Sequence, residues 1–185
     1  LRKKKWTLEG MTLDLETPWG SIQLHSFLLG DFNVYNIMAV FGSLMARGYD
    51  KEQVKMIVSQ LKPAPGRMEV VFKKPLVIVD YAHTPDAVNR ILKSVRQLTN
   101  GKVIAVLGCG GDRDKSKRPL MGAALIEGAD IPIFTSDNPR SESPMKIIEE
   151  MTSGLTMPAD GRVIIDRRAA IKEAVQCALD GDLLI

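Results

Sequence analysis

KVIAVLGCGGDRDKSKRPLMGAALIEGADIPIFTSDNPR, residues 102–140, decides the fold. It holds an apolar run of strand length (103–107), a glycine-rich polar loop (108–119), a helical stretch opening on Pro119, a second apolar run (131–134) and the turn Asp137-Asn138-Pro139-Arg140. Strands that are unbroken apolar runs, with a helix between them, are buried on both faces and belong to a parallel sheet.

The pattern continues on both sides of this stretch. Upstream, "MEVVF" and "PLVIVD" read as strands. A helix from Pro85 follows, with Val88, Ile91, Leu92, Val95 and Leu98 on one face and Asn100-Gly101 as its stop. Downstream, "PMKIIEEMTSGL" reads as a helix, "RVIID" as a strand, "RRAAIKEAVQCAL" as a helix and "DLLI" as a strand. The expected architecture is α/β: a Rossmann-like, mostly parallel sheet with helices on both faces.

Before residue 67 the pattern differs. Residues 1–29 alternate polar and apolar around Pro18-Trp19-Gly20, which predicts a hairpin. A helix with Val34, Ile37, Met38, Phe41, Leu44 and Met45 follows and stops at Gly48, and Asp50 caps a second, short helix. "KPAPGR", 62–67, ends it, because proline cannot continue a helix. Two domains are expected, 1–66 and 67–185, the first an α+β remnant of a larger domain. Leu1 and the closing "GDLLI" suggest a piece of a longer chain.

Composition narrows the function. The 25 Lys and Arg against 22 Asp and Glu give a net charge of +3, with no basic stripe, so no nucleic-acid partner is expected. Arg2-Lys3-Lys4-Lys5 reads as a solvated edge. Two cysteines outside any CxxC pair argue against a disulfide framework or zinc site and for a reducing, cytoplasmic setting. No apolar run approaches membrane-spanning length, and no membrane partner is expected.

In an open parallel sheet ligands bind beyond the carboxyl ends of the strands. Three polar loops leave those ends, at 80–86, 108–119 and 136–140. The glycines of "GCGGDRD" fit neither GxGxxG, since Arg113 stands at the third glycine position, nor a P-loop. They make a tight strand-to-helix turn, which either presents Arg113 to the rim or leaves it paired with Asp112 or Asp114. In "DYAHTPD", Thr84 and Asp86 suit a helix start; Asp80 could accept from ribose hydroxyls and His83 could orient a phosphate or a proton. "DNPR" is either an Asx turn or a receptor for an amino acid: Asp137 for its ammonium, Arg140 for a carboxylate, Asn138 as a further contact. In "FNVYN", Asn33 reads as a cap and Asn36 as a less easily explained helical residue. Arg67 stands at the boundary, where a guanidinium could reach a phosphate.

Together "FNVYN", "PGRME", "VDYAHTPD", "GCGGDRDKSKRPLMG" and "DNPR", in this order, resemble the Mur ligases of peptidoglycan synthesis over essentially the whole chain. The resemblance implies ATP- and Mg²⁺-dependent joining of an amino acid to UDP-N-acetylmuramoyl-L-alanyl-D-glutamate through an acyl phosphate, by a monomer. It implies ATP contacts from Asn36, Arg67, Asp80 and His83. It further implies an amino-acid pocket of Arg113, Asp137, Asn138, Pro139 and Arg140, in which the tetrapeptide marks members that add meso-diaminopimelate rather than lysine. Ser116 departs from the family pattern, where glycine is common. The phosphate-binding loop, the Mg²⁺ ligands and a carbamylated lysine are expected upstream of Leu1, and a glycine-rich closing segment after Ile185, so the chain alone is expected to be inactive. A folylpolyglutamate synthetase-like ligase and a non-catalytic amino-acid or nucleotide sensor are the alternatives.

Overall fold

A computed structural model of the protein describes residues 1–7 and 10–185, which divide into two units, Leu1–Glu69 and Val70–Ile185. In the first, β1 (Lys3–Thr7), β2 (Gly10–Thr17) and β3 (Gly20–Ser26) form an antiparallel sheet. Period-two alternation sets its register: Met11, Leu13 and Leu15 pair with Ser26, Leu24 and Ile22, and this whole face is buried. α1 (Asp31–Ala46) and α2 (Lys51–Ser59) join the same core through Val34, Ile37, Phe41, Val54 and Val58. Asp50 caps α2 in a reciprocal box with Gln53.

The expected cap of α1 is corrected. Gly30 is the N-cap, and Asn33 lies inside the first turn, buried, donating through Nδ2 to the Leu29 carbonyl at 2.6 Å. The side chain of Asn33 thus reaches back out of the helix instead of accepting from its free N–H groups.

The second unit carries a six-stranded sheet in the order β4-β5-β9-β6-β7-β8. Its strands are β4 (Glu69–Lys73), β5 (Leu76–Val79), β6 (Val103–Leu107), β7 (Ile131–Phe134), β8 (Arg162–Val163) and β9 (Leu183–Leu184). Its helices are α3 (Pro85–Arg96), α4 (Lys117–Gly128), α5 (Pro144–Thr152) and α6 (Arg167–Cys177). β5, β9, β6, β7 and β8 are parallel. Only Lys74 and Pro75 join β4 to β5, a link that admits antiparallel pairing alone. The last strand returns between β5 and β6, and the loops that leave the carboxyl ends of β5, β6 and β7 share one rim, where ligands of such sheets bind.

α6 covers one face, with Ala170 and Ala174 against Ile104, Ile131, Ile133 and Leu184. α3 and α4 bury Val88, Ile91, Leu92, Val95, Met121 and Leu125. Two sequence expectations are adjusted here. α4 begins at Lys117, two residues before Pro119, which the first turn tolerates because its N–H groups lack helical partners. β8 is only two residues long, although Ile164 N still donates to the Phe134 carbonyl at 2.9 Å.

Thr84 caps α3: its Oγ1 accepts from Ala87 N at 3.3 Å, with Pro85 in the first turn. Thr84→Ala is expected to cost about 1 kcal/mol in denaturant unfolding; an unchanged midpoint would contradict the capping role. Among the described residues no helix is long and apolar enough to cross a membrane.

Candidate functional site

The carboxyl ends of β5, β6 and β7 open into a cavity of about 690 Å³. Arg113, Asp137, Asn138, Arg140 and His83 all line it, with Tyr81, Cys109, Lys117 and Arg118. Asp80, from the same loop as His83, lines a separate and mostly apolar cavity of about 300 Å³ over the sheet. Pro139 contributes backbone: its carbonyl lies against Gly111. Asn36 and Arg67 belong to the first unit, both exposed.

Hydrogen bonds join the two loops that carry the arginines. Gly111 N donates to the Asn138 carbonyl at 2.8 Å, and Arg140 Nη1 donates to the Gly111 carbonyl. The Asp112 carboxylate accepts from Ser141 Oγ at 2.7 Å and Ser141 N at 3.3 Å. Asp112 and Arg140 both take left-handed backbone conformations, φ 51° and 49°. Arginine rarely adopts this region, so the contacts around it must hold it there. Asp112 is therefore engaged by Ser141, and Asp114 by Ser116 and Lys117, rather than by Arg113. Arg113 extends into the cavity mouth as an exposed cation. Ser116 sits at φ −61°, an ordinary conformation that needs no glycine.

Beneath the loops lies Arg118, 1% exposed, which the sequence did not single out. Its Nη1 and Nη2 donate to the two Glu142 carboxylate oxygens at 2.9 and 2.7 Å. Nη1 also reaches Glu150 at 2.5 Å and Nη2 the Gly110 carbonyl at 3.3 Å, while Nε is buried without a partner. A buried unsatisfied donor costs about 1–3 kcal/mol. One signal in the sequence pointed to it: a cation in the first turn of α4, where no acid balances the positive helix end.

Hydrogen bonds from Arg118, then from Asp112 N, hold the Glu142 carboxyl well below the usual glutamate range. A carboxyl depressed on folding contributes stability that is complete above its ordinary value, roughly 4.3, and that fades as pH falls below it. Glu142→Gln is expected to flatten the decline of the melting temperature between about pH 6 and about pH 3. Parallel curves for parent and variant would contradict this. Burial pushes the Cys109 thiol, packed 3.5 Å from Met121 Sδ, up to about 11, so that this wall of the cavity is uncharged at neutral pH. Both cysteines are free.

On the loop after β5, His83 Nδ1 faces the Tyr81 carbonyl at 3.0 Å, and the rings meet edge to face with centroids 5.2 Å apart. The carbonyl only accepts, so Nδ1 carries the proton and Nε2 remains for a ligand. Asp80 Oδ1 accepts from Ala82 N at 2.8 Å. Asn36 donates to Asn33 Oδ1 at 2.9 Å, fixing its amide on the exposed face of α1 and leaving its own carbonyl as an acceptor. Among the described residues no group of three or more His, Cys, Asp or Glu is placed to hold a metal ion.

The arrangement brings two arginines, an amide and a carboxylate to one cavity, groups that can bind an amino acid, and the chain is similar to known proteins over nearly its whole length. The diaminopimelate-adding ligase (UDP-N-acetylmuramoyl-L-alanyl-D-glutamate--2,6-diaminopimelate ligase) of Geobacillus kaustophilus is 45% identical over 184 residues, 98% of this chain. Its counterpart in Haemophilus ducreyi is 44% identical over 188 residues, 99% of the chain. The chain spans 38% of the length of each of these relatives. A solved structure of a ligase of the same name superposes with a TM-score of 0.71 at 41% identity, covering 98% of this chain and 38% of that one. Mycobacterium tuberculosis folylpolyglutamate synthase complexed with ADP superposes at 0.79 but with only 20% identity, covering 100% of this chain and 44% of that one, and so shares the fold. The family model described as Mur ligase, glutamate ligase domain, matches residues 66–185, and the chain belongs to the Mur ligase family.

Proposed function

We propose that this chain is the amino-acid-binding portion, with part of the ATP-binding domain, of a cytoplasmic ligase that joins meso-diaminopimelate to UDP-N-acetylmuramoyl-L-alanyl-D-glutamate. The observation that carries the reading is the convergence of Arg113, Asp137, Asn138 and Arg140 on one cavity. Diaminopimelate is a two-headed zwitterion. Asp137 accepts from an ammonium group, and Arg140 presents a planar fork to the distal carboxylate that lysine lacks. Without that carboxylate the fork keeps only its bond to the Gly111 carbonyl, and its remaining donors go unmatched, which disfavours lysine.

ATP supplies the phosphoryl group that activates the glutamate carboxylate. Asn36 is the proposed adenine contact, Asp80 the ribose contact and Arg67 a phosphate contact. His83, which lines the amino-acid cavity, is a further proposed ATP contact. The Mg²⁺ ligands are proposed to lie in the remainder of the ligase, since the chain spans 38% of the length of its relatives.

The test is ligation by the full-length protein and by residues 1–185 alone. The full-length protein is expected to release ADP and form tripeptide with meso-diaminopimelate, and the isolated chain to do neither. Diaminopimelate binding without turnover by the full-length protein would instead indicate a sensor.

A further inference from the structure

We propose that Arg118 is a positioning residue of this site: it clamps the glycine-rich loop and the Asp137–Arg140 turn into one preassembled receptor, and so sets where Arg140 and Arg113 point. The inference rests on the cavity being the amino-acid site.

Arg118 bonds to three separate elements at once. It donates to Glu142, two residues beyond Arg140, to Glu150 on α5, and to the Gly110 carbonyl of the loop that carries Arg113. Glu142 passes the constraint on by accepting Asp112 N at 2.6 Å, next to Arg113. Asp112 in turn accepts from Ser141, next to Arg140. Each ligand-facing arginine is therefore flanked by a residue of the clamp. Asp112 and Arg140, two of the three non-glycine residues in left-handed conformations among those described, lie within it.

A role in stability alone explains this arrangement poorly. Buried ion pairs are weak sources of stability compared with apolar packing. A cation at the start of α4 opposes the helix dipole. Nε is left without a partner while both Nη atoms are directed at the loops, so the side chain's geometry serves them rather than its own hydrogen-bonding needs. With a side-chain exposure of 2%, Arg118 offers a ligand almost no surface, and it acts through Arg140 and Arg113.

The test uses the full-length ligase with Arg118→Lys and Glu150→Gln, measuring kcat and the KM of each substrate alongside melting temperature. Lysine keeps the charge but cannot span two loops with a fork. Arg118→Lys is expected to raise the KM for meso-diaminopimelate at least about tenfold and to lower its preference over L-lysine, with the KM for ATP changed less than about twofold. Glu150→Gln, a neutral isostere that leaves the bonds to Glu142 and Gly110, should move the same KM in the same direction by less. It also keeps the question answerable if the arginine variant does not fold. A lower melting temperature or kcat with an unchanged diaminopimelate KM would overturn the proposal. Arg140→Ala, measured in parallel, separates the two claims. If it abolishes the preference for diaminopimelate while the clamp variants leave it intact, the clamp is refuted and the site stands. If Arg140→Ala itself leaves the preference intact, the reading of the cavity fails, and the clamp with it.

Discussion

Arg140→Ala in the full-length ligase is expected to lower kcat/KM for meso-diaminopimelate by about 100-fold, since two hydrogen bonds to a charged group together contribute on the order of 3 kcal/mol. The value for L-lysine should stay within a few-fold of the parent. Lysine has no distal carboxylate to lose, so with it the substitution removes only the bond from Arg140 Nη1 to the Gly111 carbonyl. The backbone at residue 140 is left-handed for arginine and alanine alike, so the substitution leaves that strain unchanged and reports on the side chain. An equal fall for both amino acids would show that Arg140 holds the loop or a common group of the substrates, and would refute its role as selector.

Gly111→Ala is expected to have the other large effect. A Cβ at residue 111 would lie 1.8 Å from the Pro139 carbonyl oxygen, a backbone atom that cannot rotate away. The bond from Gly111 N to the Asn138 carbonyl requires that close approach, so the two loops must separate. Overpacking of this kind costs roughly 1–3 kcal/mol or more, and a separated turn no longer aims Arg140. Diaminopimelate binding should fall below detection in calorimetry, with a lower melting temperature. The neighbouring glycine is the control. At Gly110 the nearest atom to a new Cβ is Nη1 of Arg140 at 3.0 Å, the movable end of a side chain. Gly110→Ala should leave the melting temperature nearly unchanged. Equal destabilisation by the two substitutions would contradict the close packing of the loops.

The parallel sheet was legible because its strands are buried on both faces. Runs such as Val103–Leu107 and Ile131–Phe134 then need no polar alternation. The antiparallel piece was legible for the opposite reason, as β2 and β3 alternate. The place of β9 between β5 and β6 was not legible, because a two-residue strand carries too little pattern to choose its neighbours. The loops that bear chemistry could be read from their position after apolar runs, and Arg113, Asp137, Asn138 and Arg140 do meet in one cavity. Arg118 was not legible because its acids, Glu142 and Glu150, are distant in sequence. Asn33 was mistaken for a cap because the residue type suits one, whereas Gly30 occupies that position.

The fold alone does not select the function. A folylpolyglutamate synthase shares it at 20% identity, so the argument for diaminopimelate depends on the residues in the cavity. The most direct measurement is therefore a crystal structure of the full-length ligase with meso-diaminopimelate. The account predicts the amino acid in the cavity between Arg113 and the 137–140 turn, its distal carboxylate in hydrogen-bond contact with the Arg140 guanidinium and an ammonium group on Asp137. Diaminopimelate bound elsewhere, or bound here with Arg140 turned away from both carboxylates, would contradict it.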